Sequence, residues 1–482
     1  MNPLNATTAG KPALPVKILQ FGEGNFLRAF VDWMIDKANQ LGKMNHGVAI
    51  VQPIAGGEFI RDLFAKQDNL YHVYLEGIKD KQPVKEVAMV KCITGVYNPY
   101  SDYKTYESIF LSEELEMIVS NTTEAGIRYE EGDDLNAEPP ASFPAKMTAL
   151  LYKRFKKFNG DASKGLSIIC CELIEDNGST LRQYVLKHAA ANELGVAFEN
   201  WVTTHCHFYD TLVDRIVPGF PKENIQEIQA EIGFEDNLVV KGEYFHVWAI
   251  GGDSSIKEKL PLDQAGMNVL FMDDIREFRA KKVRILNGSH TGMVPVALQL
   301  SCATVMDAFN TPEVEKFINK MVSEETLPVI DEDPVELKKF AGKILERFYN
   351  PYLKHYLKDI SLNSLSKWET RNFPTVKDNF TKLNKNARLN TFSFAALLVL
   401  YSGKSAVEFT PNDTPEFVEF IQSTFDNNHI QDWVEGIVNN KKIWKEDFAV
   451  SPYFIDEVAA SASAILKHGM KAALTDLLNS LK

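Results

Sequence analysis

A lysine, an asparagine and a histidine near the middle of the chain have types and a spacing that suit carbonyl chemistry. Lys282, Asn287 and His290 lie in a segment with a helical pattern of apolar residues. At roughly 100° per residue, Asn287 lies about 140° and His290 about 80° from Lys282, so one broad face of a regular helix carries all three. Lys281 would leave the other two on the far side, and the spacing therefore favours Lys282.

These three residue types fit the interconversion of a ketone and an alcohol. A lysine with a lowered pKa can donate a proton to the carbonyl oxygen, and like charge from Lys281 and Arg284, together with burial, would lower the pKa of Lys282. The amide N–H of Asn287 would stabilise the developing oxyanion, and His290 would bond the same or the adjacent oxygen. We predict that these three residues are catalytic, and no spacing of His, Asp and Glu here indicates a metal site.

The alternative is that the three side chains are solvated groups on the surface of a helix. Apolar residues border them, at Ile285 and Leu286 and again over residues 293–298. Polar groups on a largely buried helix need partners. These flanks therefore favour a functional face.

A glycine turn, Gly22-Glu23-Gly24, separates an apolar run at residues 16–21 from a helical pattern. In α/β folds a turn of this kind places the pyrophosphate of a dinucleotide on a helix N-terminus. The first glycine permits the tight turn and the second lets the phosphate approach the backbone, whereas Leu27 takes the place of the usual third glycine. The turn predicts a dinucleotide site, and the alternative is a glycine turn that binds nothing.

The end of the second predicted strand bears on which dinucleotide is bound. In dinucleotide-binding sheets an acid after this strand holds the ribose hydroxyls of adenosine. Here Gln52 follows the strand at residues 48–51, and a glutamine can still donate and accept hydrogen bonds. Arg61 would favour a 2′-phosphate instead. Gln52 and Arg61 together favour NAD as the cofactor and do not exclude NADP.

Further apolar runs in the first half of the chain predict the sheet that positions the turn. Residues 117–120 are followed by Asn121 and Thr122, and residues 166–171 by Glu172. Strands that alternate with helical patterns are typical of a mostly parallel sheet with helices on its faces. Since such sheets bind ligands beyond the carboxyl ends of their strands, these polar residues are candidates for a site.

From about residue 270 the pattern changes to one helix after another. Three helix starts are marked by a capping residue before a proline: Thr311-Pro312, Asp333-Pro334 and Thr414-Pro415. Glu336 adds the acid of a capping box to the second of them. We therefore place a dinucleotide-binding α/β domain at residues 1–270 and a mostly α-helical catalytic domain at residues 271–482.

The composition excludes several classes of protein. The net charge of −13 argues against nucleic acid and against an anionic membrane surface as partners. The five cysteines are scattered, without the spacing of a disulfide framework or a zinc site. Residues 1–16 lack the pattern of a signal peptide, and the most apolar stretch, residues 392–401, is too short to cross a membrane. We expect a soluble, cytoplasmic protein.

Three blocks of the sequence together resemble a known family, the polyol-specific long-chain dehydrogenases typified by mannitol 2-dehydrogenase. Residues 21–30 resemble its G-x-G-x-F-x-R-A turn, and residues 213–218 its V-D-R-I-x-P signature. Lys282, Asn287 and His290 match its K-x4-N-x2-H pattern. The resemblance implies a Rossmann-type N-terminal domain with a mostly parallel sheet, an α-helical C-terminal domain and NAD as cofactor. It also implies that Lys282 is the general acid and base.

The resemblance, together with the polar residues that follow the predicted strands, implies two further sets of site residues. The residues expected to bind the cofactor are Gly22, Gly24, Asn25, Phe26, Gln52, Asn121, Thr122, Val213 and Asp214. The residues expected to bind the substrate are Asn177, Arg371 and Lys377.

One departure from the family pattern indicates the kind of substrate. Where mannitol dehydrogenases have Cys-Asp-Asn, this chain has Cys171-Glu172-Leu173, so an asparagine that contacts the polyol is replaced. The chain is more similar to members that reduce a keto sugar acid in hexuronate breakdown. A sugar acid needs a cation for its carboxylate. Arg371 is our candidate with Lys377 in support, and the alternative is that both are ordinary surface charges.

Motif residues leave other readings open. Members that act on an epimeric sugar acid are the second choice, and mannitol dehydrogenases are the third. A nucleotide-binding regulatory protein without turnover is the alternative outside enzymes. The expected partners are a small sugar-acid substrate, with no nucleic acid and no membrane, and the resemblance implies a monomer or weak homo-oligomer.

Overall fold

The computed structural model describes residues 1–122, 126–352, 354–446, 448 and 451–481. The chain folds into two compact units. The N-terminal unit contains Met1–Gly77 and Gln82–Arg276, and the C-terminal unit contains Ile78–Lys81 and Glu277–Lys482. The two units divide at Arg276, and the sequence analysis placed the boundary near residue 270.

The N-terminal unit contains the described β-strands. They are β1 (Asn2–Pro3), β2 (Val16–Phe21), β3 (Gly47–Val51), β4 (Tyr71–Lys79), β5 (Gln82–Val90), β6 (Ile93–Tyr97), β7 (Met117–Ser120), β8 (Ser167–Cys170), β9 (His207–Asp214), β10 (Phe234–Glu235), β11 (Val240–Glu243), β12 (Val247–Gly251) and β13 (Val269–Met272). The helices before the boundary are α1 (Ala6–Ala9), α2 (Asn25–Leu27), α3 (Trp33–Gln40), α4 (Glu58–Lys66), α5 (Tyr103–Phe110), α6 (Phe143–Lys157), α7 (Asn177–Ala191), α8 (Val196–His205), α9 (Ile225–Ile232) and α10 (Ile256–Lys259), and α11 (Arg276–Lys282) begins at the boundary and continues into the C-terminal unit. A π-helical turn at Arg28–Asp32 joins α2 to α3.

An eight-stranded sheet has the order β13-β12-β9-β8-β7-β2-β3-β6. Its neighbouring strands are parallel except β9 and β12, which are antiparallel. From β2 the chain adds β3 and β6 on one side, then returns to add β7, β8 and β9 on the other. The strand order therefore reverses between β2 and β7, where sheets of this type bind ligands. The predicted α/β fold with a mostly parallel sheet is confirmed.

Both faces of this sheet are covered, which explains the uninterrupted apolar runs in the sequence. Because successive side chains alternate between faces, Ile18 and Met117 join one buried cluster. Leu19 and Ile118, one residue further along each strand, join the cluster on the opposite face. The two paired strands β2 and β7 thus present their ends at a rigid, fully packed position.

The C-terminal unit is helical, as predicted. Its helices are α12 (Gly288–Leu298), α13 (Val305–Phe309), α14 (Pro312–Lys320), α15 (Pro334–Arg347), α16 (Leu357–Ile360), α17 (Ser364–Arg371), α18 (Phe373–Leu383), α19 (Arg388–Tyr401), α20 (Pro415–Ser423), α21 (Ile430–Val438), α22 (Phe454–His468) and α23 (Met470–Ser480), with π-helical turns at Val283–Asn287 and Met321–Thr326. The apolar α19 is buried over Leu389–Tyr401 and packs against α12 and α22. Within the described residues, no helix is both long enough and apolar enough to span a bilayer.

The three helix starts predicted from proline lie at the first residues of α14, α15 and α20. Only Asp333 caps its helix with its side chain, which accepts the N–H groups of Val335 and Glu336. The carboxylate of Glu336 accepts a hydrogen bond from Lys339 at 2.7 Å instead of forming a capping box. Proline at the first turn therefore located these helices better than the expected capping pattern did.

Candidate active site

The three catalytic candidates lie on a helical segment that contains a π-helical turn. α11 ends at Lys282, the turn covers Val283–Asn287, and α12 begins at Gly288. The N–H of Gly288 bonds the carbonyl oxygen of Val283, five residues earlier. A turn closed in this way contains one residue more than an α-helical turn, so Asn287 lies about one turn above Lys282 rather than well round the helix. The π-helical turn aligns the two side chains more closely than a regular α-helix would.

Side chains from the helix and from its neighbour hold this unusual turn. The hydroxyl of Ser289 donates to the carbonyl oxygen of Ile285 at 2.5 Å. The amide of Asn372 donates to the carbonyl oxygen of Gly288 at 3.0 Å and to Asn390 Oδ1 at 2.9 Å. These bonds satisfy backbone groups at and beside the π-helical turn and connect it to the residue that follows α17.

His290 presents a nitrogen that no described residue bonds. Its Nε2 atom is buried and has no hydrogen-bond partner. The ring packs against Phe348, with centroids 4.5 Å apart, and edge-on against His355 at 5.0 Å. A buried nitrogen without a partner is costly. Nε2 of His290 is therefore a candidate to bond an oxygen of a ligand.

Positive groups surround His290, and we call the set of Lys282, His290, Arg347, His355 and Arg371 the basic cluster. Burial lowers the pKa of His290 well below its usual 6.5, and the other four members lower it further. Burial also lowers the pKa of His355, so Arg347 and Arg371 are the members with a permanent charge. The imidazole is therefore neutral near pH 7, with one nitrogen as donor and the other as acceptor. The concentration of positive charge suits an anionic ligand.

The structure brings Arg371 to the helix that carries His290, whereas Lys377 lies elsewhere. The guanidinium of Arg371 donates to the hydroxyl of Thr291 at 3.2 Å, next to His290. Lys377 has an exposed side chain on α18 that pairs with Glu446 at 3.3 Å. We therefore keep Arg371 as a candidate carboxylate ligand and do not keep Lys377.

Two members of the basic cluster were missed by the sequence argument. Arg347 ends α15, directly before the Phe348 that packs on His290. His355 lies in the connection between α15 and α16. Neither belongs to a motif, and both are far from Lys282 along the chain, so no spacing could have connected them to it.

The like charge expected from Lys281 and Arg284 is neutralised by ion pairs. Lys281 Nζ lies 2.6 Å from Glu332, and Arg284 lies 2.6 Å from Asp378. An ion-paired cation exerts little net field on a neighbour. The charges of Arg347, Arg371 and Lys282 act instead on His290.

The unusual state of His290 can be measured directly. In an NMR titration of the histidine ring protons, we expect His290 to show no protonation step above pH 6.5. Arg347→Gln removes a like charge, so the pKa of His290 should rise in that variant. His429 is the internal control, because Asp426 raises its pKa above 6.5. A His290 midpoint at or above that of His429 would contradict the arrangement.

The glycine turn in the N-terminal unit lies where the strand order reverses. Gly22 has φ +122°, and a Cβ there would meet the carbonyl oxygen of Asn121 at 3.0 Å. The N–H of Gly22 bonds Val51 at 2.9 Å, and the N–H of Asn121 bonds Phe21 at 3.0 Å. This backbone conformation strains other residue types, so Gly22 is required by the turn itself.

Gly24 has a different role from Gly22. A Cβ at Gly24 would meet no atom within 4 Å, so packing of the protein does not require a glycine here. Gly24 also starts the helix without a side-chain cap. The first N–H groups of this helix, those of Asn25 and Phe26 among them, thus lie beside open space that suits a phosphate.

Residues around the turn hold it in place. Arg28 is buried and donates to the carbonyl oxygen of Leu238 at 2.9 Å and to Asn25 Oδ1 at 2.5 Å. The ring of Phe26 stacks on Phe30 at 4.9 Å. Asn25 and Phe26, both predicted at the cofactor site, therefore position the first turn of the helix through their side chains.

Glu172 organises the other side of the switch point. It is buried at the end of β8, where burial raises its pKa. Its carboxylate accepts bonds from Ser120 Oγ at 3.1 Å, and from the N–H and hydroxyl of Thr122 at 3.0 and 2.9 Å. The amide of Asn121 bonds the carbonyl oxygen of Cys171 at 3.0 Å. Asn121 and Thr122 therefore shape the edge of the predicted cofactor site.

Asn177, predicted to bind substrate, has its side chain bonded within the protein. The residue is fully buried, and its Nδ2 donates to the carbonyl oxygens of Glu172 and Thr211 at 2.9 and 3.2 Å. Its Oδ1 accepts the N–H groups of Gly178 and Thr211, both at 2.9 Å. Because every hydrogen-bonding group is used within the N-terminal unit, Asn177 joins the start of α7 to β9.

Val213 and Asp214 end β9 and pair with Trp248 and Val247 of β12. The next residue, Arg215, is buried and donates to the carbonyl oxygens of Phe245 and Tyr244, both at 3.2 Å, and to that of Ala29. Ala29 lies in the helix that follows the glycine turn. The V-D-R-I-x-P motif therefore braces that helix from a strand on the far side of the sheet.

The geometry of both units agrees with the comparison of this chain with known families. The mannitol dehydrogenase Rossmann domain matches residues 16–264, and the mannitol dehydrogenase C-terminal domain matches residues 274–466. The chain therefore belongs to the mannitol dehydrogenase family, a class of oxidoreductases that act on CH–OH groups, as the motifs predicted.

Particular members of the family are similar over nearly the whole chain. Altronate oxidoreductase of Bacillus subtilis (strain 168) is 42% identical over 462 residues, which is 95% of each chain. Altronate oxidoreductase of Bacteroides thetaiotaomicron is 38% identical over 481 residues, 99% of this chain and 100% of its own. The enzyme of that name from Escherichia coli O139:H28 is 38% identical over 485 residues, with the same coverage.

Solved structures show the same fold at lower identity. Substrate-free D-sorbitol dehydrogenase has a TM-score of 0.84 at 18% identity, covering 98% of this chain and 100% of its own. Mannitol 2-dehydrogenase of Pseudomonas fluorescens, in a ternary complex with NAD and D-mannitol, has a TM-score of 0.71 at 21% identity. It covers 97% of this chain and 95% of its own.

Proposed function

We propose that this chain catalyses the NAD(H)-dependent interconversion of D-tagaturonate and D-altronate, and the relatives named altronate oxidoreductase support altronate as one of the two compounds. The observation that carries the proposal is the basic cluster around the unpartnered Nε2 of His290. A polyol has no charge for such a cluster to bind, whereas a sugar acid has a carboxylate. Similarity to these relatives over at least 95% of the chain supports altronate as the sugar acid.

Arg371 and Arg347 are the proposed ligands of the substrate carboxylate. A guanidinium binds a carboxylate through two parallel hydrogen bonds, which fixes orientation as well as adding energy. Burial lowers the pKa of Arg371, yet a guanidinium remains charged at neutral pH. An anion beside it would offset the cost of that burial.

The N-terminal unit fits NAD at the glycine turn. The open space at Gly24 and the uncapped N–H groups of the following helix would hold the pyrophosphate. Asn121, at the neighbouring strand end, would line the same site. When bound, the reduced cofactor supplies the hydride for the reduction.

Three residues of the C-terminal unit complete the proposed chemistry. Lys282 donates a proton from Nζ to the carbonyl oxygen as that oxygen becomes a hydroxyl, and takes it back in the oxidation. The amide of Asn287, aligned with Lys282 by the π-helical turn, donates a hydrogen bond to the same oxygen. His290 bonds the reacting or the adjacent oxygen through Nε2 and holds the substrate in one orientation. Among the described residues, no group of His, Cys, Asp and Glu is arranged to hold a metal ion.

The experiment follows NADH absorbance with D-tagaturonate, D-fructuronate and D-fructose in parallel. We expect the highest kcat/KM with D-tagaturonate. A higher kcat/KM with D-fructuronate would show that the substrate is the epimeric sugar acid. Turnover of fructose alone would show that the basic cluster does not bind a substrate carboxylate. No oxidation with any of the three would leave a nucleotide-binding protein without this activity.

A further inference from the structure

The residue expected to hold the adenosine ribose has no donor left for it. Gln52 follows β3 and is fully buried. Its Nε2 donates to the carbonyl oxygen of Gly57 at 2.8 Å and to Glu23 Oε1 at 3.1 Å. Its Oε1 accepts a bond from Asn98 at 3.3 Å. Because a side-chain amide has two N–H donors, both donors of Gln52 are used.

The same contacts hold a carboxylate beside the glycine turn. Glu23 lies between the two glycines, is partly buried, and is fixed through Oε1 by Gln52. Within the described chain no residue bonds its Oε2. Gly57 has φ +104°, and a Cβ there would lie 2.5 Å from Gln52 Nε2 and 3.1 Å from Glu23 Oε1. A glycine at position 57 therefore leaves room for this pair.

In this chain the carboxylate beside the predicted ribose site occupies a different position from the one usual in dinucleotide-binding sheets. In dinucleotide-binding sheets the acid that holds the ribose hydroxyls follows the second strand. Here that position carries a neutral amide, and the acid comes from the turn after the first strand. The cation that would favour a 2′-phosphate is used elsewhere, because Arg61 bonds Asp62 at 3.3 Å and Ser101 at 3.4 Å.

We infer that Glu23, positioned by Gln52, binds the adenosine ribose hydroxyls of NAD(H) and excludes NADP(H). One carboxylate can accept bonds from both ribose hydroxyls, and such charge-assisted bonds are the stronger kind. A 2′-phosphate would remove one of these donors and place like charges side by side. The inference rests on the proposed use of a nicotinamide cofactor, and makes Glu23 the residue that sets the choice between the two forms.

Coenzyme binding tests this inference without turnover. Dissociation constants for NADH and NADPH are measured by fluorescence titration of the wild type and Glu23→Gln. We expect NADH binding to weaken about tenfold or more on loss of a charged hydrogen bond, while NADPH binding strengthens. Glu23→Lys should shift the preference further towards NADPH, because a cation then faces the phosphate.

Glu58→Gln is the matched control, since it removes the same charge from an exposed residue close to Gln52 in sequence. We expect its ratio of NADH to NADPH affinity to equal that of the wild type. An unchanged ratio in both Glu23 variants would overturn the inference and leave the proposed reaction intact. A wild type that binds neither NADH nor NADPH would overturn both.

Discussion

Lys282→Ala is expected to lower kcat for the reduction by roughly 10²–10⁴-fold, the usual contribution of a general acid. The dissociation constant for NADH should stay near the wild-type value, because the proposed cofactor residues belong to the N-terminal unit. The measurement combines stopped-flow NADH oxidation with a fluorescence titration of NADH. Loss of turnover without loss of cofactor binding would assign the proton transfer to Lys282.

The neighbouring lysine supplies the control for this experiment. Lys281 carries the same charge and pairs with Glu332 at 2.6 Å, so its side chain is committed elsewhere. Lys281→Ala should retain kcat within a few-fold. Equal losses in the two variants would indicate a general effect of charge or helix stability, and full activity in Lys282→Ala would remove the acid–base role.

Arg371→Ala is expected to lower kcat/KM much more for a sugar acid than for a neutral sugar. Removing one partner of a buried, charged hydrogen bond costs about 2–5 kcal/mol, so kcat/KM for D-tagaturonate should fall by roughly 30-fold to several thousand-fold. The slow reduction of D-fructose should change only a few-fold, because fructose has no carboxylate. Initial rates with both substrates at several concentrations give the two ratios.

Lys377→Ala is the matched control for Arg371, since Lys377 was predicted for the same role and lies exposed beside Glu446. It should leave both substrates unaffected. If Arg371→Ala lowered kcat/KM equally for fructose and for the acid, Arg371 would be a structural residue. A loss confined to Lys377→Ala would instead assign the carboxylate to Lys377 and remove Arg371 from this role.

The fold could be predicted from the sequence because the strands of a parallel sheet that is covered on both faces are short runs of mostly apolar residues. Runs such as Gly47–Val51 and Met117–Ser120 are mostly apolar and buried at every residue, since both faces of the sheet are covered. Gly22 was also predictable, because its positive φ belongs to the turn that the strand and helix define. These are local requirements, and local sequence is enough to show them.

Site residues could be predicted from the sequence only where they belonged to a motif or where a local charge was needed for the substrate. Lys282, Asn287 and His290 stood out by spacing, but the π-helical turn that aligns the first two depends on bonds from Ser289 and Asn372. Such a turn has no periodicity of its own that a sequence would display.

Tertiary contacts decided the remaining residues. Arg347 enters the basic cluster because α15 ends beside His290. Gln52 follows a strand and Asn177 begins a helix, positions where ligand contacts are common, yet both side chains use their donors within the protein. Backbone carbonyls accept the donors of Asn177, and Gly57 and Glu23 accept those of Gln52. Whether a polar group faces a ligand or the protein depends on partners distant in sequence, and no pattern in one segment reveals them.

Oxidation of the sugar acid itself tests whether this protein is specific for D-altronate. D-Altronate, D-mannonate and D-mannitol are each mixed with NAD and the wild-type protein at equal concentration, and the initial appearance of NADH is recorded. A basic cluster that binds a carboxylate, together with the similarity to altronate oxidoreductases, predicts the fastest rate with D-altronate and the slowest with D-mannitol. D-mannitol as the fastest substrate would contradict the account.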